Sequence, residues 1–222
     1  MSRIVVKFGG GALEKAGAHV LALAAQGHEC VVVHGAGPQI SAELAQQGLS
    51  VRFVRGRRVT DAATLVVARE ALLGVNASLC AAIGPQAVGL AGDEIGLRAL
   101  RVSALGLVGE PLPSRPQAVL DALARGRIPV VAPIAEGPLN VNADEAAAAL
   151  AVGLGAERIV FVTDVPGVLR DARPVERIGV DEADRLLGEG AFVGGIVPKL
   201  EAAVRAARRG VRVEIGVTEV VA

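Results

Sequence analysis

The sequence predicts an α/β fold, a three-layer αβα sandwich around a mainly parallel sheet. Three observations point there. Short β-branched runs alternate with longer Ala- and Leu-rich segments along the whole chain, the order of a parallel sheet covered by helices. The runs are continuously apolar, as strands buried on both faces are. The 222 residues suit one domain, or two closely joined lobes, with ample capacity for a buried core.

RIVVKF (3–8) opens as a β-branched strand that stops at a glycine run, and the Ala-rich 13–26 follows as a helix. ECVVVH (29–34) is the next strand, leading through HGAGP into a helix over 38–47. RGRRVTD (55–61) is a loop directly before a long helix, 61–83. QAVGLA (86–91) returns to the sheet, and the alternating LRALRVSALGLVG inside 95–113 reads as a hairpin or extended excursion from it. A helix over 115–125 precedes the strand RIPVVAP (127–133), and NVNAD (140–144) opens a helix over 143–154. RIVFVTD (158–164) is a strand running into TDVPGVLRDARPVERIG (163–179), a loop punctuated by Pro and Gly. A helix over 197–209 and a last strand, VRVEIGV (211–217), complete the sheet.

Composition excludes several functions. Formal net charge is zero, from 23 basic and 23 acidic side chains, and there is no Trp or Tyr. A protein that grips nucleic acid needs a basic surface, commonly interleaved with aromatics for stacking, so no nucleic-acid partner is expected. The longest apolar stretches, such as EAAAALAVGLGA, are short and glycine-broken, so no membrane span is expected. Lys7 and the glycines interrupt the only apolar run near the N-terminus, so no secretory signal is read. Cys30 and Cys80 stand singly in apolar segments, as packed, reduced thiols of a cytoplasmic protein do, and neither has a ligand-spaced partner for zinc.

Four strand exits carry chemistry: KFGGG, HGAGPQ, PLNVNAD and TDVPG. Ligands of open α/β sheets gather at such ends. Glycines there let backbone N–H groups approach an anion, and a helix N-terminus adds a favourable field. The alternative is that these glycines only make turns. Neither a Walker loop nor a complete dinucleotide fingerprint is present. The chain has 20 Arg but only three Lys, at 7, 15 and 199. Where Lys survives that bias, a compact ammonium is favoured over a planar fork, which singles out Lys7 and Lys199. The arginines of 55–58 are either a solvated cluster or a bidentate grip on a small carboxylate. Asn142 suits a helix cap and Asp144 a first-turn acid, whereas Asn140 is free to meet a ligand. His34 reads as a local hydrogen-bonding residue, not a catalytic base.

VVKFGGGAL, VVVHGAGPQI, GRRVTD, GVN, AVGLAGDE, GRIPVVAPI, LNVNADEAAAALA, LGAERIVFVTDVPGVL and GGIVPKLEAA occur in this order over nearly the whole chain. As a set they resemble the amino acid kinase family, most closely its N-acetyl-L-glutamate kinase branch. The resemblance implies ATP-dependent phosphorylation of the side-chain carboxylate of N-acetylglutamate to an acyl phosphate, in arginine biosynthesis, with magnesium on the nucleotide. It implies that Lys7 and Lys199 flank the transferring phosphoryl group while Asp144 holds both. Gly35, Ala36, Gly37, Arg58 and Asn140 would line the acid site. Gly9, Gly10, Gly11, Thr163, Asp164 and Gly195, with the two lysines, would line the ATP site. Ala36 stands where the family usually has glycine, and a negative φ would let it serve with its N–H intact.

The resemblance divides a single domain, 1–222, into an N-terminal lobe (1–150) for the acid and phosphoryl transfer and a C-terminal lobe (151–222) for ATP. That second lobe is expected to be short, because the chain stops soon after 211–217. The chain opens directly on its first strand, without the extra helix that links dimers of arginine-inhibited members. An uninhibited homodimer, joined through the 61–83 helix, is therefore expected. An aminoadipate derivative or another small carboxylate is the alternative substrate. A non-catalytic sensor is the alternative of another class, opposed by the joint presence of Lys7, Asp144 and Lys199.

Overall fold

The computed structural model describes residues 2–9, 13, 15–171 and 173–222. β1 (Arg3–Phe8) leads to α1 (Ala16–Ala25), and β2 (Glu29–His34) to α2 (Gly37–Gln46). A small hairpin, β3 (Phe53–Val54) and β4 (Arg57–Arg58), precedes α3 (Ala62–Ile83) and β5 (Ala87–Ala91). Next come β6 (Ala99–Arg101), β7 (Val108–Pro111), α4 (Gln117–Ala124) and β8 (Ile128–Ala132). β9 (Ile134–Ala135) and β10 (Leu139–Val141) lead into α5 (Ala143–Gly153) and β11 (Arg158–Val162). The hairpin β12 (Leu169–Arg170) and β13 (Arg173–Pro174) is followed by β14 (Arg177–Gly179) and α6 (Val180–Gly188). α7 (Ile196–Ala207), β15 (Arg212–Ile215) and β16 (Thr218–Val221) end the chain.

The main sheet has eight strands in the order β14-β16-β15-β11-β1-β2-β8-β5. Neighbours are parallel except β15 and β16. From β1 the chain winds outward through β2, and from β11 it winds the other way. The crevice above β1 and β11 is thus the switch point at which such folds bind ligands. One face packs Val5, Val33 and Phe161 against α5 and α7, and the other packs Ile4, Val6 and Phe8 against α1, α2 and α3. This is the expected three-layer sandwich.

The expected strands and helices are all present, with no end moved by more than three residues. The excursion over 95–113 contains the antiparallel pair β6 and β7, within a four-stranded side sheet with β9 and β10. Three regions differ from expectation. RGRRVTD was read as loop, yet Arg57 and Arg58 form β4 against β3, a pairing too short to leave a periodicity. The 163–179 loop holds β12, β13 and β14, and α6 follows unforeseen, because its sequence VDEADRLLG buries only Val180 and Ala183. The sheet does not end at 211–217: the chain turns at Gly216 and β16 returns antiparallel to β15. α3 is long and apolar enough, by length and composition, to cross a membrane. Here one side of it packs on the sheet, with Asn76 reaching the Val130 carbonyl of β8.

Candidate functional site

The site begins with strand alternation. Val5 belongs to the core beneath α5 and α7, so Lys7, two residues on, leaves the sheet on the same face. At α5 the Asn142 side chain accepts hydrogen bonds from the Asp144 and Glu145 N–H groups at 2.9 and 3.2 Å. That cap fixes the first turn and sets Asp144 over the end of β1. Lys7 Nζ stands 2.7 Å from Asp144 Oδ1. Lys199, in the first turn of α7, donates to the same oxygen at 2.9 Å. Its ammonium also lies 5.3 Å above the Phe161 ring. All three charged residues are buried. Two cations and one anion leave the cluster with a net positive charge in a place water reaches poorly.

Burial pushes the Asp144 carboxyl up, but Lys7 and then Lys199 outweigh it and hold it below the usual aspartate range. Lys199 is moved down by burial, with Lys7 acting in the same direction and Asp144 against it. An arrangement of this kind attracts a further anion, because fixed charges act strongly where solvent screening is weak.

Beside the cluster lies a cavity of about 170 Å³, whose wall includes Lys7 and Asp144, the turn 35–37, Arg58 and Asn140. It is smaller than the ~300–1,000 Å³ typical for drug-sized ligands, so it suits a small molecule. Arg58 hydrogen-bonds the Gly37 carbonyl at 3.1 Å and Ser41 Oγ at 2.9 Å. Its guanidinium lies 4.6 Å from the Phe53 ring centre. Among the described residues Nη1 of Arg58 is buried without a hydrogen-bond partner, a donor left over for a ligand. Burial lowers the Arg58 pKa, but a guanidinium retains its charge.

Asn140 is less free than the sequence suggests. Its amide donates to Thr60 Oγ1 at 3.0 Å, and that hydroxyl donates to the Arg58 carbonyl at 2.7 Å. The side chain therefore also holds β4 in place. Ala36 has φ −139°, the negative value its Cβ favours, and supplies no side-chain cap to α2. The first-turn N–H groups of α2 thus lack intrahelical acceptors. Gly35 and Gly9 differ: their N–H groups bond the Phe8 and Val162 carbonyls, both at 3.2 Å. They extend the sheet ladder and offer no free amide.

Thr163 and Asp164 follow β11, half-buried and exposed respectively. Gly195 is the exposed N-cap of α7 and makes no side-chain cap; in the first turn Val197 N–H bonds the Gly194 carbonyl at 3.2 Å and Pro198 has no N–H, which leaves the Ile196 amide. Gly10 and Gly11 lie outside the described residues. Among the described residues no cluster of three His, Cys, Asp or Glu is placed to hold a metal ion.

Sequence reasoning missed three participants. Glu145, next to Asp144, pairs with Arg57 and Arg205. Ser41 supports Arg58. Asn76 pairs with His34: its Nδ2 stands 3.1 Å from Nε2 and donates to the Val130 carbonyl as well. Burial lowers the His34 pKa to about 4, with its Gly35 backbone bond opposing and Lys7 reinforcing the shift. The only signal for that pair was Asn76 in GVN.

Comparison with known proteins agrees with this geometry. The model of the amino acid kinase family matches residues 2–216. An acetylglutamate kinase of Koribacter versatilis is 41% identical over 229 residues, covering 94% of this chain and 87% of that protein. One from Saccharopolyspora erythraea is 43% identical over 235 residues, covering 94% and 77%. A crystal structure from Streptococcus mutans UA159 superposes with a TM-score of 0.87 at 27% identity, covering 99% of this chain and 98% of its own.

Proposed function

The chain belongs to the amino acid kinase family, and on that basis we propose that it transfers the γ-phosphoryl group of ATP to the side-chain carboxylate of N-acetyl-L-glutamate, a step of arginine biosynthesis. The products are an acyl phosphate and ADP. The observation that carries this reading is the pair of ammonium groups on one carboxylate oxygen, with Lys7 and Asp144 at the wall of a cavity that also holds Arg58. The acetylglutamate kinase relatives supply the substrate's identity.

The attacking group is a carboxylate with a pKa of about 4.3 in solution, so it needs no general base at neutral pH. What opposes reaction is the meeting of two anions. Phosphoryl transfer is mainly positioning and charge stabilisation. In this reading Arg58 and Asn140 hold the acid, with the α2 amides beside them. Lys7 and Lys199 neutralise charge on the moving phosphoryl oxygens. Asp144 keeps both ammoniums in place and is itself neither acid nor base. Thr163, Asp164 and the open start of α7 at Gly195 receive the nucleotide, so residues 1–150 handle the acid and 151–222 the ATP. In this reading magnesium enters on the ATP phosphates.

A homodimer through the outer side of α3, where Val66 is exposed, and a cytoplasmic location complete the proposal. The free Cys30 and Cys80 fit a reducing compartment.

Trapping of the acyl phosphate with hydroxylamine tests the reaction, with N-acetylglutamate and N-acetylaminoadipate run side by side. Hydroxamate from the first acid supports the proposal, and a stronger signal from the second reassigns the substrate. Silence with both, in the presence of ATP and magnesium, sinks the kinase reading.

A further inference from the structure

Asp144 and Glu145 are consecutive at the start of α5, and each joins two cations. Asp144 joins Lys7 to Lys199. Glu145 joins Arg57 to Arg205: Arg57 Nε donates to Oε1 at 3.1 Å, Nη2 lies 3.0 Å from Oε2, and Arg205 Nη2 lies 3.4 Å from Oε1. Lys199 and Arg205 are both on α7, so two bridges tie that helix to α5. The Glu145 side chain is only 3% exposed. Burial raises its pKa against the pull of both arginines.

The fourth member, Arg57, comes from β4, where it precedes Arg58. Successive residues of a strand point to opposite faces. Arg58 stands at the acid cavity; Arg57 borders the same cavity, but its guanidinium reaches across to Glu145 at the start of α5. Two more contacts seat the same hairpin. Asn142 Nδ2 donates to the Gly56 carbonyl at 3.2 Å. Gly56, at φ +73°, lies so near Pro198 that an added Cβ would stand 2.8 Å from its Cγ. Pro198 immediately precedes Lys199. Arg57 and Glu145 thus link the strand that carries the acid-binding arginine to the helix that carries Lys199.

Resting on the phosphoryl-transfer reading above, we propose that Arg57 and Glu145 are positioning residues that couple the acid-binding hairpin to α7, so that Arg58 and Lys199 take their working places together. Removing one member of a buried ion pair leaves the other charge uncompensated. Without Arg57, Glu145 retains only the half-exposed Arg205, and the hairpin loses its charged anchor. Glu110, 3.6 Å from Arg57 and half-exposed, is too solvated to replace Glu145.

The test uses the full chain and the variants Arg57→Ala, Arg57→Lys, Glu145→Gln and the double variant Arg57→Ala/Glu145→Gln. Amide hydrogen exchange of residues 53–58 is read alongside KM and kcat for acid and nucleotide. Arg57→Ala and Glu145→Gln each speed hairpin exchange by roughly tenfold or more, as loss of a local anchor does, while exchange in β1 stays unchanged. Both raise the acid KM and lower kcat with little change in the ATP KM. Arg57→Lys recovers most of both effects, and the double variant is no worse than the poorer single one. Unchanged hairpin exchange in Glu145→Gln overturns the coupling, as does an effect on the ATP KM alone. Exchange is measured without substrate, so a protein that makes no acyl phosphate refutes the kinase reading while the hairpin result stands or falls separately.

Discussion

Lys7 and Lys199 place their ammonium nitrogens 2.7 and 2.9 Å from a single atom, Oδ1 of Asp144. Like charges come this close only when a shared counter-ion holds them, and the pair retains one uncompensated positive charge. One ammonium about 4 Å from a developing negative charge contributes roughly 4 kcal/mol at an effective dielectric near 20. Such a contribution is worth about 10³-fold in rate. Lys7→Arg keeps the charge but brings a planar fork into a buried space shaped for a point charge. It is expected to fold normally, by circular dichroism, and to lose about 10³-fold in kcat in a coupled ADP assay. Turnover within a few-fold of wild type would remove Lys7 from its role.

The lowered pKa of Lys199 sets opposite trends for activity and stability. Its folded pKa lies below the ordinary 10.5. On the proposed mechanism turnover needs the ammonium, so kcat is expected to fall on the alkaline side from a pH below that value. Between the folded and unfolded pKa values the unfolded chain binds more protons, so stability rises with pH across that window. Initial rates and urea midpoints measured from pH 7 upward check both trends. A kcat that stays level beyond the ordinary lysine range contradicts the assignment.

Among the described residues Nη1 of Arg58 is buried without a partner, while Nη2 makes both of the side chain's hydrogen bonds. Losing a charged hydrogen bond to the acid costs about 1.5–3 kcal/mol. Arg58→Ala is therefore expected to raise the acid KM by roughly 10- to 100-fold with the ATP KM nearly unchanged. Equal rises for both substrates would mean that the residue supports the fold rather than the acid.

His34 gives a stability signature apart from catalysis. It is fully buried, with a pKa lowered from 6.5 to about 4. Across that interval the unfolded chain takes up a proton that the folded chain refuses, so stability falls as pH drops, by about 3 kcal/mol in all. His34→Gln should flatten this part of the urea-midpoint profile, whatever its effect at neutral pH. An unaltered slope would mean that another group causes the acid loss.

The sequence was readable where one local rule decides. The continuous apolar runs showed the buried strands, and Asn142 showed the start of α5. The scarcity of lysine pointed to Lys7 and Lys199. What it hid were pairings set by distant packing. His34 and Asn76 meet because α3 crosses β2, and Arg57 meets Glu145 because two residues of β4 project to opposite sides. Neither contact leaves a periodicity. α6 also escaped notice: it is short and fully buries only Val180 and Ala183, with Leu186 and Leu187 packing against the core on the same face. Gly9 and Gly35 looked like sources of free amides because glycine after a strand has that use, yet here both N–H groups bond the neighbouring strand, although Gly35 still lines the cavity.

The central position of β1 has a consequence for biosynthesis. Lys7 is paired with Phe161 of β11 on one side, so that side of β1 stays bare until β11 has been translated. At about 5–20 residues per second this takes roughly ten to thirty seconds. Over that interval a nascent chain exposes an apolar strand edge prone to pairing with other chains. Lys199 emerges from the ribosome later still, so on the proposed mechanism a chain arrested before it would lack the second ammonium while that strand edge lies open.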